Sequence, residues 1–284
     1  MFSSYVTNVG QFATIRQAEK AKFKRLDIRQ PAVIRVLRGK KLVHFDDHDQ
    51  VFEANGGDAA FLGAEQILNI TNILGQNRFY EAEIFIFDFT IIEDALTSGK
   101  LAQARERTSV QIVPISAGLG TAFDTAKQAM LEPSAFPETV SRHKVEELVL
   151  WLAAAGVQFL PAKPRDLAYN VRSLISSDCS RNWKATEVAK KFAFSEATFR
   201  RRLQAVGCSF SEIVFEIRMA QALFLLQSSD LSILQIAGSV GYSSPSKFAM
   251  RFKSRFDISP SQIRGSEFEQ IGTGIERKGS EEVI

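Results

Sequence analysis

Two short arrays of polar and basic residues near the end of the chain carry the chemistry most readily assigned. Glu196, Ala197, Arg200, Arg201 and Gln204 recur at spacings of three and four, as do Ser246, Lys247, Met250, Arg251 and Ser254. That period puts each array on one face of a helix. Arginine offers a planar fork of donors, lysine a point charge and glutamine a paired donor and acceptor, the groups that read base edges and hold phosphates. Ser244, Lys253 and Arg255 extend the second array, the latter two as phosphate contacts. A basic helix face alone is ordinary solvated surface; the tandem occurrence of two sets these apart.

The elements that would position them follow the same plan twice. In the first, residues 184–192 form a short helix, Ala193 and Phe194 take a turn, and Ser195 caps a second helix running to about Val206. Phe199, Leu203 and Val206 are expected to face inward. In the second, Ile233, Ile236, Ala237 and Val240 make the supporting helix, Gly241 permits a tight turn, and Ser244 with Pro245 reads as a cap with proline at the first helical position. Phe248, Phe252 and Phe256 point to the core at intervals of four. Between the units a helix over 210–226 carries Ile213, Ile217, Ala220 and Phe224 on one expected face. Its length of about 25 Å approaches the roughly 34 Å between successive major-groove faces.

Charge distribution agrees. From Arg165 to Arg264 there are 15 Lys and Arg against 8 Asp and Glu, a surplus of 7, which leaves −4 for the rest of a chain whose net charge is +3. The basic half favours phosphate-rich partners. Lys184, Lys190 and Lys191 read as surface charges with a minor phosphate role.

With 284 residues, 45% of them hydrophobic and 24% charged, the chain is globular and long enough for two cores. The N-terminus does not read as a signal peptide, and the longest apolar stretch, residues 148–160, is too short to span a bilayer, so a soluble cytoplasmic protein is expected. Its two cysteines, Cys179 and Cys208, have no metal or disulfide spacing. Strands are expected at 32–37, 41–45, 59–62, 67–71 and 83–89, separated by Gly and Asn turn signals, which suggests a small antiparallel barrel or sandwich. Helices follow at 91–107, 118–131 and 140–159, the last with Val145, Leu148, Leu152 and Ala155 on one side. They would cover the barrel or pair two subunits. Pro161 and Pro164 break any helix. The expected organisation is therefore α+β: an N-terminal domain at 1–162, an all-α domain of two helix-turn-helix units at 163–265, and a disordered tail at 266–284.

The segment from Gly207 to Arg264 resembles the DNA-binding domain of the AraC/XylS family of transcription regulators. The resemblance rests on Arg218 with Ala222, Ile236-Ala237 with Gly241-Tyr242, Phe248 with Phe252-Lys253, and Ser259-Pro260. Met250 stands where arginine is usual, and Asp257 where glycine is frequent. Residues 171–192 are similar to the enteric-virulence branch. The resemblance implies an activator that binds double-stranded DNA and meets RNA polymerase, with a cupin-like N-terminal domain for dimerisation or for an effector or regulatory protein.

That branch suggests a small carboxylate or fatty-acid effector, for which Lys22, Lys24, Arg25 and Arg35 are the candidate holders. Gln227 occupies a position where such regulators can carry a basic residue. A cupin-type enzyme is the competing reading. His44 and His48 lie among Asp46, Asp47 and Asp49, but the third histidine, His143, is on a distant helix, and a charged hairpin end explains them better than a metal. No Ser-His-Asp set or Gly-rich phosphate loop is present, so no catalytic residue and no cofactor is expected.

Overall fold

Alternation of inward and outward residues along the N-terminal strands dictates a layered arrangement. A computed structural model describes residues 4–7, 9–45, 50–76, 78–101, 110–132, 134–160 and 166–264. Ten strands occur among them: β1 (Ser4–Thr7), β2 (Gly10–Gln17), β3 (Ala21–Ile28), β4 (Ala32–Arg38), β5 (Lys40–His44), β6 (Val51–Asn55), β7 (Asp58–Leu62), β8 (Gln66–Ile73), β9 (Tyr80–Phe87) and β10 (Val110–Pro114). They form two antiparallel sheets, one in the order β1-β2-β9-β4-β7-β10 and the other β3-β8-β5-β6. Three helices belong to this half: α1 (Phe89–Thr97), α2 (Ala117–Leu131) and α3 (Glu138–Ala154).

The six-stranded sheet is buried on both faces, because successive side chains on a strand point to opposite sides. On β9, Tyr80 and Ala82 join Ile34, Val36, Val43 and Leu68 between the two sheets. Phe85 and Phe87 instead pack with Phe12, Val33 and Phe61 beneath Ile92 of α1, Phe123 of α2 and Leu148 of α3. This gives three layers, helices on sheet on sheet, in keeping with the helix-covered antiparallel barrel or sandwich that the spacing suggests. The helices cover the sheet, the first of the two roles expected for them.

Several boundaries differ from expectation for local reasons. Phe89 begins α1 rather than ending a strand, because Asp88 is extended and its side chain accepts from the Thr90 amide. The expected helix at 91–107 stops at Thr97, and residues 102–109 lie outside the described residues, as do 46–49, 161–165 and 265–284, on which the charged hairpin end with His48, the boundary prolines and the tail fall. Ala155 caps α3 and is exposed rather than packed.

The chain separates into two compact units, one holding Met1–Ala162, Gln227–Ser229 and Gln262–Ile284, the other Lys163–Leu226 and Asp230–Ser261. The rest of the described chain is helical: α4 (Leu167–Ser177), α5 (Ala185–Lys191), α6 (Glu196–Ala205), α7 (Phe210–Ser228), α8 (Ile233–Ser239), α9 (Pro245–Phe256) and α10 (Pro260–Arg264). No described helix is long and apolar enough to cross a membrane.

Candidate nucleic-acid interface

Each helix-turn-helix unit is set by caps and by a buried stripe. The Ser195 hydroxyl accepts from the Thr198 amide at 3.3 Å and starts α6, whose Phe199 and Leu203 are buried against Val188, Ile213 and Ile217. Ser232 and Gln235 form a reciprocal capping box at the start of α8, a signal that sequence reading passed over. Ser244 accepts from the Lys247 amide, Pro245 occupies the first turn of α9, and Phe248, Phe252 and Phe256 are buried along one side. Asp257 takes the left-handed position that ends α9, φ 59°, and its amide donates to Lys253 O. The residue found where glycine is frequent therefore makes an ordinary C-terminal cap, since aspartate tolerates this region better than most side chains.

Two inward assignments are corrected. Val206 is 54% exposed, because α6 ends at Ala205 and the chain turns away through Gly207 with φ +74°. Ala220 is also exposed, while Met219, Ala222, Leu223 and Leu226 are buried. The connecting helix carries buried residues on more than one side of its axis, so a single stripe was too narrow an expectation.

The opposite faces are exposed and basic. On α6, Ala197, Arg200, Arg201 and Gln204 are exposed and Glu196 is half-buried. Arg200 is tied to Glu196 one turn earlier, with Nε at 2.9 Å and Nη2 at 2.6 Å from Oε1. Arg202 lies over the Phe194 ring at 4.4 Å. On α9, Ser246, Lys247, Met250, Arg251 and Lys253 are exposed, and Ser244 is occupied as the cap. Arg251 sits 5.6 Å from the Phe215 ring centroid. Arg255 differs from expectation: its Nε donates to both carboxylate oxygens of Glu216 at 2.9 and 2.7 Å, its side chain is 12% exposed, and its guanidinium also covers Phe256. A fork held by α7 in this way joins helices rather than presenting donors to a phosphate.

The four cations suggested as effector holders do not converge. Lys22 and Lys24 are on the exposed side of β3. Arg25, φ 52°, sits at an irregularity in the β3 and β8 register, where its amide donates to Asn69 Oδ1 at 2.9 Å. Arg35 is taken up by carboxylates of the chain itself: it pairs with Glu83, to which Lys127 also donates at 2.6 Å, and with Asp124 at 2.6 Å. A guanidinium so satisfied has little left for an added carboxylate.

A different lysine has the required chemistry. Lys41 of β5 is buried on the inner face of the four-stranded sheet, donates to Asn72 Oδ1 at 2.7 Å, and lies 5.1 Å from the Tyr80 ring centroid. Asn72 in turn donates to Gln17 Oε1 at 3.0 Å. The Tyr80 hydroxyl is buried with no hydrogen-bond partner among the described residues. Burial pushes the Lys41 ammonium down to about 7, because desolvation penalises the charged form. The signal was present in the sequence: counting by two from Val43, which is plainly a core residue, puts Lys41 on the same inward face. Among the described residues no group of three or more His, Cys, Asp or Glu is placed to hold a metal. His44 Nδ1 lies 3.1 Å from Phe45 O.

The C-terminal region holds two helix-turn-helix units on one connecting helix, the arrangement that the resemblance to the AraC/XylS regulators leads one to expect. Residues 188–266 match the helix-turn-helix domain family. The DNA-binding dual transcriptional regulator Rns of Escherichia coli is 37% identical over 93 residues, 33% of this chain and 35% of Rns. The virulence regulon transcriptional activator VirF of Yersinia enterocolitica is 31% identical over 153 residues, 51% of this chain and 55% of VirF. The chain thus spans between about a third and about half the length of these relatives. Among solved structures, ToxT from Vibrio cholerae O395 is similar with a TM-score of 0.61 at 15% identity, covering 95% of this chain and 100% of that one. ToxT crystallised with an unsaturated fatty acid bound gives 0.60 at 13%, covering 92% and 96%. At that identity the likeness is one of fold: an N-terminal β domain followed by a helical domain.

Proposed function

We propose that this protein is a sequence-specific DNA-binding transcription regulator, an activator that acts in the cytoplasm and reads two successive major-groove segments with α6 and α9. The observation that carries the reading is the repetition of one plan: a capped helix with an apolar stripe buried on one side and a basic face exposed on the other, twice on one connecting helix. Arg200, Arg201 and Gln204 of α6 and Ser246, Lys247 and Arg251 of α9 face base edges, while Lys253 meets a phosphate. Residues 163–265 are the DNA-reading domain and residues 1–162 the effector and dimerisation domain, with RNA polymerase as the further partner. The test is selection of duplexes from a randomised pool by the full chain. Failure to enrich any sequence over random duplex overturns the proposal.

For the effector we propose a fatty acid or similar small carboxylate, held by Lys41 with Tyr80 Oη as a second donor. Support comes from a buried ammonium that, among the described residues, has no carboxylate partner, beside a buried hydroxyl that has no partner among them, and from the fatty-acid complex of the structurally similar ToxT. The pH dependence has a defined sign. The folded, ligand-free lysine loses its proton near 7, whereas the unfolded chain keeps it to about 10.5. The folded state therefore binds fewer protons in that window, and stability rises with pH across it. An anionic effector needs the protonated form, so oleate affinity should fall as pH rises from about 7 towards about 9 and level off below. Lys41→Met should abolish that dependence and weaken binding. A flat affinity profile, or equal oleate binding by Lys41→Met, would remove Lys41 from the effector site.

A further inference from the structure

Arg218 stands midway along α7, and its guanidinium is engaged on several sides at once. Nε donates to Cys179 O at 3.0 Å and Nη2 to Arg181 O at 3.0 Å. Both carbonyls belong to the loop between α4 and α5, which leads into the first helix-turn-helix unit. On another side the guanidinium lies 5.8 Å from the ring centroid of Tyr242, the residue that follows the turn glycine of the second unit. A Cβ placed on Gly241 would stand 2.5 Å from Arg218 Nη2 and 2.6 Å from Ser180 O. Loop, guanidinium and turn are thus in contact with no space between them, and Cys179 Sγ reaches Ser239 O at 3.7 Å.

The loop is stiff enough to transmit this contact. Asp178 Oδ1 accepts from Ser180 Oγ at 2.6 Å and from the Arg181 amide at 3.2 Å, Trp183 Nε1 donates to Asp178 O at 2.8 Å, and Arg181 stacks over Trp183 at 4.4 Å. Each unit also has buried residues of its own, Phe199 and Leu203 in the first, Phe248 and Phe252 in the second. Loss of the Arg218 bonds would therefore leave two folded units on one helix, free to pivot.

We propose that Arg218 is a positioning residue for DNA reading: by clamping the 178–181 loop of the first unit onto the Gly241–Tyr242 turn of the second, it sets the rotation between α6 and α9 that lets both enter the groove together. This rests on the DNA-reading function proposed above. The guanidinium does not touch DNA in this role. Its forked geometry matters because one planar group must satisfy two carbonyls while lying against a ring, which an ammonium cannot do.

The test uses the full chain and three probes derived from a selected duplex: the intact site, the site with about five base pairs inserted between its two segments, which turns them to opposite faces, and a site with one segment scrambled. For the wild type the insertion should weaken binding roughly a hundredfold, because the second unit no longer engages as a tethered partner. Arg218→Gln should bind the intact site more weakly, lose most of the difference between intact and inserted probes, and bind the single-segment probe as the wild type does. A folded variant that keeps the full insertion penalty, or loses single-segment binding in proportion, overturns the proposal.

Arg218→Lys is the second variant, for use if Arg218→Gln does not fold. It keeps the charge but not the fork, and it should also lose most of the insertion penalty; wild-type behaviour overturns the proposal. A readout without DNA separates failure of the clamp from failure of the DNA-reading function. In a Cys208→Ser background, Cys179 should react with a thiol reagent several-fold faster when Arg218 is replaced, and an unchanged rate overturns the clamp even if no duplex is selected.

Discussion

The two helix-turn-helix units solve the same turn with different residues. In the second the left-handed position is Gly241, φ +80°, where a side chain would collide with Ser180 O and Arg218. In the first it is Ala193, φ 58°, an exposed residue that carries its methyl group at a backbone angle unfavourable to it. The reading helices diverge similarly: α9 has no acidic residue, and its Arg251 packs on Phe215, whereas α6 carries Glu196, which holds Arg200 in an intrahelical pair. One plan thus permits a tightly packed unit and a looser one. The tight turn lies where the two units meet, so packing rather than the turn itself demands glycine.

The largest expected effect follows from that difference. Gly241→Ala should destabilise the domain by roughly 3 kcal/mol or more, since strain at positive φ adds to displacement of a backbone oxygen and of the half-buried, doubly hydrogen-bonded Arg218 guanidinium. Denaturant unfolding measures it, and a cost below about 1 kcal/mol would show that the loop yields easily. Next come the reading residues. Arg201→Ala and Arg251→Ala should each weaken binding to a selected site by about 1–3 kcal/mol while leaving random duplex much less affected. Lys253→Ala should instead lower affinity for all sequences and reduce the salt dependence by about one counterion. If Arg251 behaves like Lys253, α9 grips the backbone and α6 alone discriminates.

The helical half was legible because its signals are local: serine caps, a proline in the first turn, and aromatic residues at intervals of four. What escaped there was set by partners distant in sequence. Arg255 reads as a surface cation until Glu216, 39 residues earlier, is placed beside it. Arg218 reads as a motif residue, and only folding brings it to the carbonyls of Cys179 and Arg181. In the N-terminal half, strands rich in apolar residues were found, but β1, β2, β3, β6 and β10 were not. Several of these carry charges inside or beside the strand, such as Arg16 and the lysines of β3, and Arg16 is bonded by Glu81 of the neighbouring β9. Arg35 reads as a ligand holder until its own carboxylate partners, Glu83 and Asp124, 48 and 89 residues away in sequence, are placed beside it. Lys41, whose hydrogen-bond partner Asn72 is a neutral amide 31 residues away, reads only as the first residue of an expected strand.

Smaller effects sharpen the contrast between the turns and between the reading helices. Ala193→Gly should stabilise the first unit by roughly 0.5–1 kcal/mol, relief of the left-handed methyl outweighing the added freedom of the unfolded chain. Stability unchanged or lowered would mean that the Ala193 methyl contributes contacts that offset its strain. Glu196→Gln has the smallest expected effect and two opposite consequences. Loss of the pair with Arg200 should cost about 0.3–0.5 kcal/mol of helix stability. The same change releases the Arg200 guanidinium and removes a negative charge from the groove face, so affinity for random duplex should rise about twofold. Glu196 was also a candidate base contact, accepting from a cytosine amine, and in that role its replacement would lower affinity for the selected site and relax one position of its sequence. The ratio of selected to random binding separates the two: a modest fall with both affinities raised marks Glu196 as the tether of Arg200, whereas loss confined to the selected site marks it as a reader.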